Sequence, residues 1–351
     1  MLHSMKKIIL FAFALAFVAC KNDAKKTDST SKNGNKELTV YTHRHYDSDQ
    51  NIFSLFEEKT GIKINVVNAN ADELIQKMIM EGAHSPADIL ITVDAGRLHR
   101  AKEGDILQPV ISEAVNSIVP ANLRDSDNYW FGISIRARII AYAKDRVKPE
   151  ELSTYEDLAT EKWKGRLAMR SSSNVYNQSL LAAIIANNGE EFAKEWSAGV
   201  VNNMARDPKG SDRDQVKSIF AGEGDLTIVN SYYIGNMLNS TNKEEFEPAN
   251  GIGVFFPNQE TTGTHINVSG VGIAKYAPNK ENAIKFIEFL VSDEAQKIFA
   301  ESNYEYPVSK NVEMAETLKN WGGFKEDSLN LSILGENNKK AVLIFDETRW
   351  K

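Results

Sequence analysis

Strand-like and helix-like segments alternate along most of the chain, and this order restricts the possible folds more than any other feature of the sequence. Glu37–Thr42 is rich in strand formers, and the helical stretch after it has Asp47 or Ser48 as its cap and Gly61 as its stop. Further strand-like segments are "IKINVVN", "ADILITV", "GRLAMR", "DLTIVN" and "GVGIAKYAP", and helical patterns follow most of them. This alternation predicts an α/β fold, with a parallel sheet that carries helices on its faces.

The first 36 residues differ in composition from the rest of the chain. An apolar run, Ile8–Ala19, follows two lysines and is long enough for the core of an export signal but too short to span a membrane. Cys20, the only cysteine, follows Val-Ala in an arrangement that resembles the lipobox of bacterial lipoproteins. We predict a signal peptide over residues 1–19, lipidation of Cys20 and a flexible tether over residues 20–36. The alternative is that the signal peptide is cleaved at another position and that Cys20 has no role in processing.

The charge of the chain argues against a nucleic-acid partner. The formal net charge is −7, and no basic patch is interleaved with aromatic residues. The chain beyond the tether is long enough for two domains of ordinary size. A soluble two-domain protein outside the cytoplasm is therefore expected.

Tyrosines follow three of the predicted strands, at the point where each strand ends. Tyr46 comes after the first strand, Tyr176 after "GRLAMR", and Tyr232 with Tyr233 after "DLTIVN". In open α/β sheets, ligands bind at the carboxyl ends of the strands, where helix N-termini also favour negative charge. A tyrosine pair alone is more often a packing feature, but three such positions at equivalent strand ends are candidates for one ligand site.

A trivalent cation would explain why several phenols lie together. A free tyrosine ionises near pH 10, whereas a bound metal holds its ligands ionised at neutral pH. Ferric iron suits phenolate oxygen, and His45, beside Tyr46, would add a neutral nitrogen. Four phenolates around Fe³⁺ leave one negative charge, for which Arg136 and Arg138 are candidate partners. His45 alternatively donates to a ligand without binding the metal itself.

At these residues the chain resembles the periplasmic ferric-iron-binding proteins of ABC transporters, especially the cyanobacterial type that binds iron without a synergistic anion. The segments "HRHYDSD", "RSSSNVYNQS", "NSYYIG" and "NYEYPV" carry the likeness, which runs from about Glu37 to Val308. The family binds iron through a histidine–tyrosine pair, a tyrosine in the serine-rich segment and a late tyrosine pair. The resemblance thus implies five ligands, His45, Tyr46, Tyr176, Tyr232 and Tyr233.

The same resemblance places a family arginine at Arg136, next to the site. Many relatives carry a second arginine three residues after the tyrosine pair, where this chain has Asn236. How the charge of the site is balanced here is therefore an open question.

The resemblance also implies a two-lobed periplasmic binding protein fold of type II, with a hinge and a ligand cleft between the lobes. Lobe 1 is expected over residues 37–132 and 271–302, and lobe 2 over residues 133–269. Extended crossings are expected near 133–135 and 269–271, and a helical C-terminal segment over residues 303–351. The implied protein is a lipid-anchored monomer of the periplasm or cell envelope that delivers Fe³⁺ to an ABC transporter permease and its ATPase.

Two other classes of function compete with iron transport. A protein of the same fold can bind a small organic or anionic solute, because fold does not determine the ligand. A secreted hydrolase would need a nucleophile, and the sequence contains neither G-x-S-x-G nor H-E-x-x-H. A binding protein is therefore favoured over an enzyme.

Overall fold

The computed structural model describes residues 36–44 and 46–351. The predicted signal peptide, Cys20, the tether up to residue 35 and His45 lie outside these residues, so the predictions made for them stay predictions. Within the described ranges, no helix combines the length and the apolar character that a membrane crossing requires.

Strands and helices alternate in the described residues as the sequence predicts. The eight strands found there, β1 to β8 in chain order, are Glu37–Thr42, Lys63–Asn68, Ile89–Val93, Leu107–Gln108, Phe131–Ala143, Leu226–Asn230, Ile252–Phe255 and Ile266–Ala274. The α-helices of the same residues, α1 to α14, are Asp47–Thr60, Ala71–Glu81, Ala95–Glu103, Glu113–Ile118, Val175–Asn188, Glu190–Asn202, Asp212–Phe220, Ser231–Leu238, Lys243–Gly251, Lys280–Leu290, Asp293–Asn303, Glu316–Lys319, Ser332–Glu336 and Asn338–Glu347. Short 3₁₀ turns occupy Gly82–His84, Ala121–Leu123, Pro149–Glu151, Glu156–Ala159 and Glu161–Trp163.

The sheet is mixed, so the prediction of a parallel sheet is correct for only part of it. β1 pairs in parallel with β2 and β3. β8 runs antiparallel to both β3 and β5, and β5 runs antiparallel to β6 and β7. The strand-helix pattern identifies the strands, but β5 and β8 meet from distant parts of the chain, and no local pattern shows their direction.

The long strand β5 connects the two halves of this sheet. All of its 13 residues are buried. Its first part, up to Ala137, pairs with β8, and from Arg138 onward it pairs with β6 and then β7. A shift of register between Gly132 and Ser134 separates its first pairs with β8 from the later ones. The predicted crossings near 133–135 and 269–271 thus lie within β5 and β8.

Several predicted elements differ in detail from the observed ones. "GRLAMR" forms no regular strand, because Leu167 makes only isolated bridges to Met204 and Leu226. The amphipathic stretch after Asn279 is two helices, α10 and α11, since Ser292 interrupts it and caps α11.

The predicted helix caps were only partly correct. The N-cap residue of α1 is Tyr46, and not Asp47 or Ser48. The N-cap residue of α8 is Asn230, the last residue of β6. Gly61 ends α1 in the left-handed conformation, as predicted.

The C-terminal segment packs onto the helix that carries Tyr176. Within it, α13 contacts α3 and α5, and α14 contacts α5 and α6. The Trp350 ring lies 6.1 Å from that of Trp196, and its indole N–H donates to the carbonyl of Arg170 at 2.9 Å. The last residues of the chain therefore support the region just before Tyr176.

Candidate functional site

Four tyrosines lie in the first turns of three helices. Tyr46 is the N-cap residue of α1, which follows β1. Tyr176 is the second residue of α5, and Tyr232 and Tyr233 are the second and third residues of α8, directly after β6. All four are at helix starts, as predicted, although irregular chain rather than a strand precedes α5. The positive end of each helix dipole favours a negative charge at these positions.

The side chains of these four tyrosines meet at one place. The hydroxyl oxygens of Tyr46 and Tyr232 are 3.5 Å apart, although the two residues are 186 positions apart in the chain. The Tyr233 ring stacks on that of Tyr232, with 4.2 Å between ring centroids. Tyr176 forms a small buried cluster with Val93, against which Tyr233 packs. The fold therefore gathers the predicted tyrosines into one group.

Burial and repulsion between neighbouring charges favour the neutral phenols of Tyr46, Tyr232 and Tyr233. Burial is the main cause that raises the pKa of Tyr46, Tyr232 and Tyr233 above its ordinary value of 10, and the charge of a nearby Tyr176 phenolate is the next. The guanidinium of Arg136 acts in the opposite direction on Tyr46 and Tyr232 but does not reverse the shift. A cation that binds the phenolate oxygens must therefore displace protons.

Four arginines lie over the tyrosine rings. The guanidinium carbon of Arg44 is 4.9 Å from the ring centroid of Tyr46, and that of Arg136 is 5.3 Å from the ring centroid of Tyr232. The corresponding distances from Arg138 and Arg170 to the ring of Tyr176 are 5.8 Å and 5.9 Å. Arg136 and Arg138 are thus beside the tyrosine group, as the sequence predicted.

Glu305 joins two of these arginines. Its carboxylate accepts hydrogen bonds from Arg44, at 3.0 Å, and from Arg136. Glu305 is fully buried, which by itself raises the pKa of its carboxyl, but the two guanidiniums outweigh burial and lower the pKa to about 2. The carboxylate is therefore charged at neutral pH. Arg44 also pairs with Asp49 at 3.0 Å.

Asp212 joins the other two arginines in the same way. It accepts hydrogen bonds from Arg138 at 3.0 Å and from Arg170 at 3.1 Å. Arg138 also donates to the side-chain oxygen of Asn177 at 2.7 Å, on the same helix as Tyr176. Both arginines that face Tyr176 thus share one buried carboxylate.

Sequence reasoning missed Arg44, Arg170, Glu305 and Asp212. Arg44 lies within "HRHY" and Arg170 directly precedes the serines before Tyr176, so closeness to predicted ligands was an available signal for these two. Glu305 lies in "NYEYPV", but no local pattern links it to arginines more than a hundred residues away. Contacts of this kind become visible only in the folded chain.

The four arginines that face the tyrosine rings are not fully neutralised by the carboxylates that pair with them. Four guanidiniums face three carboxylates, those of Asp49, Asp212 and Glu305, which leaves one positive charge. Asn236, for which the family resemblance implies an arginine, donates to the carbonyl of Tyr232 at 2.8 Å and to that of Asn303 at 3.1 Å. It therefore supports α8 and adds no charge.

The described residues contain no group of three His, Cys, Asp or Glu side chains that could hold a metal ion. His99 and His265, for example, lie outside the tyrosine group, with His99 next to Glu103 and His265 buried near Arg138. Among the described residues, the tyrosine oxygens are thus the candidate metal ligands of this site. His45 lies outside those residues, and its role stays a prediction.

A mixed α/β sheet, with a candidate ligand site where helices begin after its strands, is typical of ligand-binding α/β proteins. The model of the bacterial extracellular solute-binding protein family matches residues 84–325. Iron uptake protein A1 of Synechocystis is 50% identical over 316 residues, which cover 90% of this chain and 88% of that protein.

Solved structures agree with this match. The Trichodesmium FutA protein, solved with iron and citrate ligands, has a TM-score of 0.88 and 51% identity and covers 90% of this chain and all of its own. The ferric binding protein of Campylobacter jejuni has a TM-score of 0.85 and 47% identity, with the same coverage. The chain therefore belongs to the bacterial extracellular solute-binding proteins, together with these iron-uptake and ferric-binding relatives. The predicted family and the two-lobed fold class are confirmed.

Proposed function

We propose that this protein captures Fe³⁺ outside the cytoplasm and delivers it to the permease and ATPase of an ABC transporter. The observation that carries the proposal is the meeting of four tyrosines from separate segments, with Tyr46 and Tyr232 in hydroxyl contact at 3.5 Å. The relatives named above are iron-uptake and ferric-binding proteins, and one of them was solved with iron bound. The proposed ligands are the phenolates of Tyr46, Tyr176, Tyr232 and Tyr233, with the imidazole of His45.

The charge of the site fits a trivalent cation. Four phenolates around Fe³⁺ carry one negative charge, and the four arginines that face the rings, together with the three carboxylates paired with them, carry one positive charge. The sum is zero for Fe³⁺ and negative for a divalent ion. Since an uncompensated buried charge is costly, the site should prefer the trivalent ion.

We also propose that the two lobes close around the iron. Tyr46 belongs to the predicted lobe 1, whereas Tyr176, Tyr232 and Tyr233 belong to the predicted lobe 2. The extended strands β5 and β8 link the two groups of strands, which suits a hinge with lobes over 37–132 plus 271–302 and over 133–269. Opening would separate Tyr46 from the other tyrosines and so release the ion.

The N-terminal segment supports a location at the cell envelope. A signal peptide over residues 1–19 would direct export, and a lipid on Cys20 would hold the protein at a membrane. A tether over residues 20–36 would then let a monomer reach its permease. These proposals rest on the sequence, because the segment lies outside the described residues.

A spectroscopic titration tests the proposal. Ferric citrate added to metal-free protein should produce a visible phenolate-to-iron charge-transfer band that saturates at one iron per protein. Tyr232→Phe and Tyr233→Phe each remove one candidate ligand oxygen and should weaken the band and iron retention while the protein stays folded.

A half-exposed tyrosine outside this group, Tyr276, supplies the matched control, and Tyr276→Phe should behave like the native protein. A native protein that bound a small organic or anionic solute but gave no band with iron would favour the alternative function. Unchanged iron content and colour in both the Tyr232 and Tyr233 variants would refute their assignment as ligands.

A further inference from the structure

Two carboxylates near the tyrosines each pair with two arginines, and Asp225, away from them, does the same. We call each such set an arginine triad. The Glu305 triad contains Arg44 and Arg136, and the Asp212 triad contains Arg138 and Arg170. In the Asp225 triad, Arg146 and Arg166 donate to Asp225 at 2.7 Å and 2.6 Å.

The triads differ in what their arginines face. Every guanidinium of the Glu305 and Asp212 triads lies within 6 Å of a ring centroid of Tyr46, Tyr176 or Tyr232. In the Asp225 triad, Arg166 lies over the ring of Trp163, at 4.9 Å from its centroid. The chain therefore contains the same ion-pair arrangement both at the tyrosine group and away from it.

The burial of the two triads at the site favours a role beyond stability. The side chains of Glu305 and Asp212 are fully buried, and those of Arg44, Arg136 and Arg138 are no more than 2% exposed. A buried ion pair is weak support for stability, because desolvation offsets most of the attraction between its charges. Placing two such triads against one group of aromatic rings is therefore hard to explain by stability alone.

Several N–H groups of the arginines at the tyrosine group have no hydrogen-bond acceptor. The buried Nε and Nη1 of Arg136 and the Nε atoms of Arg138 and Arg170 have no acceptor among the described residues. Each carboxylate fixes its two guanidiniums through their remaining nitrogens. The free N–H groups are thus held in place near the rings, where phenolate oxygens would be acceptors once a metal ionises them.

We propose that Glu305 and Asp212 are positioning residues for iron capture, each of which holds two guanidiniums against the tyrosine rings so that the phenolates are stabilised when iron binds. This inference rests on the proposed function and extends it to residues that do not touch the metal. The partners of metal ligands typically contribute about 10- to 100-fold to metal affinity. Loss of either carboxylate frees two guanidiniums to leave the rings; we expect this loss to outweigh the repulsion between the carboxylate and the phenolates and to weaken iron retention by roughly that factor.

The test compares Glu305→Gln, Asp212→Asn and the control Asp225→Asn. Each iron-loaded protein is mixed with excess EDTA, and the decay of the charge-transfer band gives the rate of iron release. The first two variants should release iron about 10- to 100-fold faster than the native protein. The Asp225 variant should release it at the native rate, because its triad faces none of the four tyrosines.

Thermal unfolding separates positioning from general stability. Iron binding raises the melting temperature by an amount that depends on affinity. Purely structural damage would lower the melting temperatures of the metal-free and iron-loaded forms together and leave this increment unchanged. A positioning role predicts a smaller increment for the Glu305 and Asp212 variants and a native increment for the Asp225 variant.

A further variant covers the case in which a buried carboxylate cannot be replaced without unfolding. Arg170 is the most exposed member of the two triads at the site, with 17% of its side chain accessible, and Arg138 would still pair with Asp212 in Arg170→Gln. This variant should fold and release iron faster than the native protein. Native release rates in every folded variant would overturn the inference, whereas a native protein without the iron band would overturn the proposed function itself.

Discussion

Iron binding should release several protons from the protein. The pKa values of Tyr46, Tyr232 and Tyr233 are raised above 10, so these phenols carry their protons at pH 7 in the metal-free protein. Each one that becomes an iron ligand must lose its proton, which predicts at least three protons released per iron. Because each proton changes the apparent affinity about tenfold per pH unit, three protons correspond to roughly 4 kcal/mol per pH unit. Affinity rises with pH, because deprotonation favours binding.

Calorimetry in two buffers with different ionisation enthalpies counts these protons. Native protein, Tyr232→Phe, Tyr233→Phe and the control Tyr276→Phe are titrated with the same ferric nitrilotriacetate, so the protons of the iron donor cancel in the differences. Tyr232→Phe and Tyr233→Phe should each release one proton fewer, and Tyr276→Phe should match the native count. Equal counts in the native protein and in both the Tyr232 and Tyr233 variants would show that neither phenol is an iron ligand.

Three other predictions concern separate parts of the chain. His45→Ala should release iron at higher pH than the native protein, because an imidazole ligand no longer holds the metal; coincident curves of band intensity against pH would mean that His45 is not a ligand. Burial, followed by the charge of Arg138, lowers the pKa of His265 to about 3. Between about pH 6.5 and 3, His265 is therefore protonated in the unfolded chain but neutral in the folded chain. As the pH falls through this range, the free energy of unfolding should decrease by up to roughly 5 kcal/mol. His265→Asn should remove that share of the pH dependence in denaturant titrations, and an unchanged slope would contradict it. Cys20→Ser should move the protein from the membrane to the soluble fraction of fractionated cells, and continued membrane retention would refute anchoring through Cys20.

Local sequence patterns predicted those parts of the fold that depend on neighbouring residues. Glu37–Thr42 is a strand and Gly61 ends the helix after it, because strand propensity and the conformational freedom of glycine act locally. The tyrosines at helix starts were found for the same reason. The antiparallel pairing of β5 and β8 was missed, because it depends on contacts between distant segments.

The candidate site shows the same division between local and distant information. Tyr46, Tyr176 and the pair at 232 and 233 each occupy a recognisable local position, and the resemblance to a known family joined them into one site. Glu305 and Asp212 have no comparable signal, since a buried carboxylate is identified only by the arginines that surround it. The balance of charge around the tyrosines therefore could not be worked out from the sequence.

The position of bound iron is the most direct test of the central claim. Crystals of the iron-loaded protein, measured at the iron absorption edge, locate the metal by its anomalous signal. The structure predicts one iron among the phenol oxygens of Tyr46, Tyr176, Tyr232 and Tyr233, with the arginines of the Glu305 and Asp212 triads around them. An iron peak at any other position, or bonds to fewer than three of these oxygens, would contradict capture by the tyrosine group.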